Sequence, residues 1–174
     1  MSWKFGGVYI KPGFENPEEA LRFLGIDKRF TYETIKFSDA VAGTFIETAI
    51  GSINGVTLVH DNLLPYNNSY EADTFTDADF NMRELSKNSE IISFFLDSIT
   101  ESYGLNHFKN GQRCRRYSFM NRNLIMKEGN FTKGKKRSEE DNMLHWLQEF
   151  TGISFNELLN NESLKMYLFT ETGF

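Results

Sequence analysis

Few residues of this sequence are suited to acid–base or nucleophilic chemistry. The histidines are His60, His107 and His145, and the one cysteine is Cys114. His60 precedes Asp61 in a predicted strand, where neighbouring side chains point to opposite faces, so the carboxylate is not expected to orient the imidazole. We therefore predict no catalytic role for His60, and we interpret His145 as a residue on the surface of a helix.

Cys114 is the second candidate for chemistry. It lies between Arg113, Arg115 and Arg116, and positive neighbours lower the pKa of a thiol and make it more reactive. His107 is a conceivable general base for this thiol. A cysteine near a histidine in sequence is nevertheless common without any catalytic role, so the favoured interpretation is an ordinary strand cysteine.

No familiar catalytic or cofactor motif is present. The sequence lacks HExxH, GxSxG, a phosphate-binding loop and the dinucleotide-binding glycine pattern. The acidic residues Glu71, Asp73, Asp77 and Asp79 lack the spacing and central glycine of an EF-hand loop. We predict no metal site and no cofactor, and a non-enzymatic function is favoured over an enzyme of unrecognised class.

The strongest signal is a basic stretch at residues 109–137. It holds ten of the 19 basic residues and one of the 24 acidic residues, so its formal charge is +9 and that of the remaining chain is −14. Lysine and arginine neutralise phosphates, and Tyr117, Phe119 or Phe131 could stack on bases. The predicted binding residues are Arg113, Arg115, Arg116, Arg122, Lys135, Lys136 and Arg137.

The charge division permits three interpretations. A net charge of −5 is unusual for a nucleic-acid-binding domain, which counts against a polyanion partner. Oppositely charged surfaces also steer protein encounters, so the acidic remainder could face a basic protein, as in a toxin-neutralising inhibitor or immunity protein. The leading expectation is a non-enzymatic protein-interaction module of a bacterial cell, with polyanion binding as the alternative. In the third interpretation, the charges only keep the protein soluble.

Length and composition predict one soluble domain over residues 1–174. The chain is 40% hydrophobic, 25% charged and 15% aromatic, which is typical of an ordered globular protein. It contains no apolar run of about 18 residues and no signal-peptide pattern at its start. We expect a cytoplasmic protein without membrane contact, and the sequence leaves its oligomeric state open.

The hydrophobic patterns predict an α+β fold, with a mainly antiparallel sheet of about six to eight strands and about three to four helices packed on it. Strands are expected at residues 3–11 and 30–37, with a helix between them that Asn16 caps. A hairpin is expected from residues 44–50 and 56–60, with its turn at residues 51–55.

The second predicted helix follows a helical spacing of apolar residues. Ile92, Phe95, Leu96, Ile99 and Tyr103 lie at i, i+3, i+4, i+7 and i+11. Helical structure is expected to begin as early as residue 81, with a break at residue 86, and to end at residue 104.

A basic meander is predicted at residues 105–137. It begins with a hairpin on the turn Asn110-Gly111 and continues as a strand over residues 123–127. Strand alternation places Arg113 and Arg115 on one face and Arg116 on the other.

The C-terminal part is expected to contain two helices and a strand. Ser138 and Ser154 begin capping boxes for the helices, and the apolar tail at residues 164–170 is the strand.

Residues 105–131 resemble a pattern found in small bacterial α+β domains. The shared features are a strand, a turn ending in Gly111, a strand bearing Arg115 and Arg116, a further strand, and a loop containing Gly129. Residues 59–66, VHDNLLPY, add to the resemblance. It implies an α+β fold and carries over no activity and no catalytic residue.

Overall fold

An antiparallel sheet lies at the centre of the computed structural model, which describes residues 4–25, 30–42, 47–61, 76–132 and 138–171. These residues form nine strands and five helices. The strands are β1 (Lys4–Lys11), β2 (Phe30–Lys36), β3 (Thr48–Ile53), β4 (Val56–His60), β5 (Glu90–Asp97), β6 (Ser102–Lys109), β7 (Gln112–Met120), β8 (Asn123–Glu128) and β9 (Lys165–Glu171). The helices are α1 (Pro17–Phe23), α2 (Phe37–Ala42), α3 (Asp77–Leu85), α4 (Glu139–Thr151) and α5 (Phe155–Asn160).

The strand order across the sheet is β2-β9-β3-β4-β1-β5-β6-β7-β8, and each neighbouring pair is antiparallel. The last three strands form a meander that carries the first half of the basic stretch. Among the described strands, β2 and β8 are the two edges of the sheet.

Helices cover both faces of the sheet. Alternate residues of β1 divide between two cores, with Tyr9 in one and Val8 and Ile10 in the other. The first core also contains apolar residues of α2, α4 and α5, and we call this side the α4 face. The second contains residues of α1 and α3, and we call this side the α3 face. None of the helices in the described ranges is long and apolar enough to cross a membrane.

The broad α+β prediction is confirmed, but the described residues contain more strands and more helices than predicted. The largest error is the helix placed at residues 92–103, which is instead β5, a turn and the start of β6. Residues 91–97 are all buried, because β5 lies between helices on both sides. A strand covered on both faces has no polar alternation, so its continuous apolar run can match a helical spacing by chance.

Elements with local start and stop signals are confirmed. The side chain of Asn16 accepts a hydrogen bond from the Glu18 amide at the start of α1, and both predicted capping boxes begin α4 and α5. Positive φ angles at Asn54-Gly55 and Asn110-Gly111 form the two hairpin turns, as Asn-Gly pairs favour. The apolar tail is strand β9, as predicted.

Smaller differences concern two element boundaries. Residues 51–53 belong to β3, so the first hairpin turn is tighter than predicted. Helix α3 begins at Asp77, where the Thr76 side chain caps it, rather than near residue 81. Of the four acidic residues compared with an EF-hand loop, Glu71 and Asp73 lie outside the described residues.

Gly7 allows β1 and β4 to approach closely. A Cβ atom at this position would lie 2.0 Å from the carbonyl oxygen of Val59, much nearer than any real side chain approaches a backbone atom. Tight packing against another backbone therefore accounts for the glycine at this position in the strand.

Candidate functional site

His60 is buried on the α4 face and takes part in the aromatic core. Its Nε2 atom lies 3.0 Å from the Tyr9 hydroxyl, and its ring stacks on Phe5. Burial lowers the pKa of His60 to about 3, so the imidazole is neutral at pH 7. Asp61 accepts a hydrogen bond of 2.7 Å from the Thr48 hydroxyl. His60 and Asp61 both line a small cavity, with room for about one water molecule.

Cys114 and His107 are in contact but do not form a nucleophile–base pair. The Cys114 thiol donates to the backbone carbonyl of His107 at 3.3 Å, while His107 Nε2 lies 2.7 Å from Glu90 Oε1. Burial raises the pKa of the Cys114 thiol and outweighs the opposite effect of Arg115. His60 on β4 is three strands from His107 on β6, or about 14 Å. The candidate residues therefore form two separate pairs.

No metal site is evident in the described ranges. Within them, no three His, Cys, Asp or Glu side chains converge as a metal ion would require.

A β-bulge divides the arginines of β7 differently from the prediction. The register shifts between His107 and Phe108, so that Arg115 lies opposite His107 and Arg113 lies opposite Phe108. Phe108 belongs to the core on the α3 face, and paired residues share a face. The prediction that Arg113 and Arg115 share a face is therefore wrong, because simple alternation does not allow for the extra residue of a bulge.

Arg116 lies in a polar row on the α3 face. Cross-strand pairing aligns Ser93, Asn106, Arg116 and Glu128 from β5 to β8. Arg116 is only 1% exposed, and Ser93 and Asn106 are fully buried. Burial lowers the pKa of the neighbouring Arg113, and the charge of Arg116 lowers it further. Arg116 is thus part of the interior and is not accessible to an outside ligand.

The other described arginines of the basic stretch lie near acidic residues. Arg115 is on the α4 face, 3.8 Å from a Glu149 carboxylate oxygen, with its guanidinium 5.8 Å from the centroid of the Phe131 ring. Arg122 is in the exposed β7–β8 turn and forms an ion pair with Glu101. Three further predicted binding residues lie outside the described residues: Lys135, Lys136 and Arg137. The structure does not gather the described arginines on one face, and polyanion binding stays a prediction.

An acidic surface, which sequence analysis did not identify, lies where the β5–β6 turn meets the start of α4. Its carboxylates are those of Glu101, Glu139 and Glu140, which are partly exposed, and of Asp97, which is only 9% exposed, and we call this group the acidic corner. Burial raises the pKa of Tyr103 to about 12, and these four negative charges contribute to the increase. The chain thus brings together acidic residues that are up to 43 positions apart.

Ile99 stands in the turn between two of these acidic residues. Its side chain is 70% exposed, the largest exposed fraction among the large apolar side chains of the described ranges. Asp97 Oδ1 accepts hydrogen bonds from the backbone amides of Ile99 and Thr100 at 3.0 and 3.1 Å, so the turn has a defined shape. The Asn121 amide also donates to the Ser102 hydroxyl, which joins the β7–β8 turn to this surface.

Two more exposed apolar residues lie near the acidic corner. Leu124 and Ile125, at the start of β8, are 57% and 47% exposed. Large apolar side chains next to charged groups are typical of protein-binding surfaces. The sequence could not identify this surface, because the predicted helix placed Ile99 on a buried face.

Comparison of the chain with models of known protein families, with curated protein sequences and with solved structures gave no match. Its function is therefore inferred from its own surfaces.

Proposed function

We propose that the chain is a non-enzymatic protein-interaction module of the bacterial cytoplasm that binds a basic protein through the acidic corner. The observation that supports this best is Ile99, which is 70% exposed on a turn bordered by carboxylates. Binding energy in protein interfaces is concentrated in a few apolar or aromatic residues surrounded by polar groups. Ile99 has the position of such a central residue.

The charge of the acidic corner selects the chemistry of the partner. Four carboxylates repel phosphate groups and attract lysine and arginine, so a basic protein fits this surface better than a nucleic acid. Lys4 and Arg122 offset part of the charge, since they lie beside Asp97 and Glu101. An inhibitor that covers a basic surface of an enzyme is one concrete form of this function.

The acidic corner is also held in shape before any partner binds. The Tyr117 hydroxyl donates to the Glu139 carboxylate, and the capping box of Ser138 and Asp141 fixes the start of α4. A surface that is already ordered loses less conformational entropy when it binds.

Reversal of two charges in the acidic corner is expected to abolish binding without unfolding the protein. Glu101→Lys with Glu140→Lys is the suitable pair, because Asp97 and Glu139 accept hydrogen bonds that hold the structure, whereas the partner of Glu101 is the exposed Arg122. The matched control is Glu18→Lys with Glu19→Lys, which makes the same charge change on the exposed side of α1.

The measurement has two stages. The immobilised chain is first exposed to a nuclease-treated bacterial lysate, and any bound protein is released by salt, identified and purified. Its dissociation constant is then measured for each variant. We expect about a 100-fold increase for the charge reversal in the acidic corner, and at least about a tenfold increase for Ile99→Ser. The α1 control should stay within about threefold of the unmodified chain at moderate salt.

Three outcomes would contradict the proposal. The reversal in the acidic corner could have the same effect as the α1 control, or the affinity could stay constant between low and high salt. The lysate could also yield no protein that depends on Ile99.

A further inference from the structure

The two edge strands of the sheet differ in their protection against strand pairing. The β7–β8 register is irregular between Ser118 and Phe119, which leaves Ile125 as an extra residue in β8. Both edges carry charged residues, but a bulge is a further means of blocking an exposed edge, and only β8 has one. By contrast, all seven residues of β2 pair with β9 in one continuous register, and β2 contains no proline. Thr31, Tyr32, Glu33 and Thr34 are exposed, so the outer edge of this strand is accessible.

We propose that β2 binds β2 of a second copy of this chain in antiparallel pairing, with Thr34 of each copy opposite Thr34 of the other. The pairing extends the antiparallel sheet through a two-fold axis. Main-chain hydrogen bonds supply the attachment, as in other complexes formed by strand addition.

The side chains of β2 favour this register over the one centred on Glu33. Residues that pair across two strands lie on the same face of the sheet. One strand can therefore shift against the other only in steps of two residues. A two-fold axis at Glu33 would place two carboxylates directly opposite each other, which is unfavourable. An axis at Thr34 places threonine opposite threonine, and Tyr32 opposite the partner's Lys36. Both of these pairs are favourable across neighbouring strands.

Tyr32 is suited to a place in this interface. Its side chain is 57% exposed, yet its ring centroid lies 5.5 Å from those of Tyr167 and Phe169, which support it from β9. A large aromatic side chain already held in place gains contact area at little entropic cost when it is covered.

The contrast between the edges argues for a closed dimer. Contact of β2 with β8 of another copy would be head-to-tail and would lead to open filaments, but the bulge in β8 opposes it. Pairing of β2 with itself uses the unprotected edge of both copies and leaves, among the described strands, only the bulged edge at β8. The acidic corner remains uncovered, since β5 is five strands, or about 24 Å, from β2.

Sedimentation equilibrium of the purified chain and two lysine variants tests the dimer. We expect the unmodified chain to dimerise. Thr34→Lys should raise the dissociation constant of the dimer by at least about 30-fold, because two lysines then face each other at the axis. Thr31→Lys is the matched control, because it adds the same charge to the same exposed strand but outside the paired residues. It should change the dissociation constant of the dimer by less than about threefold. A chain that stays monomeric throughout the concentration range, or equal effects of the two variants, would overturn the proposal.

Cysteine cross-linking locates the two-fold axis. In a Cys114→Ser background, Thr34→Cys should give a disulfide-linked dimer on mild oxidation, because directly opposed residues have the Cα separation that a disulfide needs. Thr31→Cys should remain uncross-linked under the same conditions. Cross-linking of Thr31→Cys in preference to Thr34→Cys would show that the proposed register is wrong.

Discussion

Arg116→Ala is expected to lower the free energy of unfolding by about 3–5 kcal/mol, whereas Arg115→Ala should lower it by less than about 1 kcal/mol. The two residues are adjacent and identical in type, but their surroundings differ. Arg116 is 1% exposed and lies between Asn106 and Glu128 in the polar row of the α3 face. Removal of its side chain leaves a cavity and leaves the buried Asn106 opposite an apolar residue.

Arg115 occupies a much less demanding environment. Its ion pair with Glu149 is 3.8 Å long, and the side chains are 29% and 30% exposed. Water can replace much of this interaction, so the pair adds little stability. Urea unfolding followed by circular dichroism measures both variants against the unmodified chain. Equal destabilisation by the two substitutions would contradict the different surroundings assigned to these arginines.

A third variant separates the two causes of the expected loss at Arg116. Arg116→Met keeps most of the side-chain volume, so it removes the charge while leaving a smaller cavity than alanine does. If Arg116→Met restores full stability, the loss came from packing alone. We expect part of the loss to remain, because the buried Asn106, directly opposite on β6, then faces an apolar side chain.

The position of Arg116 also changes how polyanion binding can be tested. Charge reversal at this residue would disturb the interior, so a loss of binding would not identify a contact with a ligand. Arg122 is the better choice, since it is exposed in the β7–β8 turn and its ion pair with Glu101 is at the surface. Arg122→Glu therefore tests this prediction with little effect on the fold.

The sequence predicted those parts of the fold that depend on local signals. The capping boxes at Ser138 and Ser154 satisfy backbone hydrogen bonds within a few residues. The turns at Asn54-Gly55 and Asn110-Gly111 reverse the chain over a similarly short distance. These signals do not depend on distant contacts, so they can be recognised before the tertiary structure is known.

The parts that could not be predicted depend on tertiary contacts. The strand β5 resembles a helix in sequence because α3 and α4 cover opposite faces of the sheet, and this covering is a property of the whole fold. The bulge at Cys114 moves Arg113 to the other face without any proline or glycine within β7 to mark it. The acidic corner is hidden from sequence analysis for the same reason, since it joins a turn after β5 to the start of α4.

His60 is expected to make the stability of the protein strongly dependent on pH in the acidic range. Burial lowers its pKa in the folded chain to about 3, whereas an unfolded histidine has a pKa of about 6.5. The unfolded chain therefore binds a proton between these pH values that the folded chain does not. The free energy of unfolding is unaffected by His60 above pH 6.5, and it falls as the pH is lowered towards 3.

The size of this effect follows from one proton. The free energy of unfolding falls by up to about 1.4 kcal/mol per pH unit as the pH is lowered. This amounts to about 3 kcal/mol between pH 6.5 and pH 4. His60→Gln removes the titration while keeping a side chain that can accept a hydrogen bond from Tyr9. Burial raises the pKa of the Tyr9 hydroxyl, which therefore stays protonated throughout this range.

Urea unfolding at several pH values between 7 and 4 measures the slope for the unmodified chain and for His60→Gln. The variant is expected to be less stable at pH 7, because glutamine does not fill the aromatic pocket of Phe5 and Phe37, but its stability should fall less steeply with acid. His145→Gln on the more exposed surface of α4 is the matched control and should retain the steep slope. Other groups that titrate in this range, including His107 and Glu90, are present in both proteins, so their contributions cancel in the difference. Parallel pH curves for His60→Gln and the unmodified chain would mean that His60 can take up a proton while the chain stays folded.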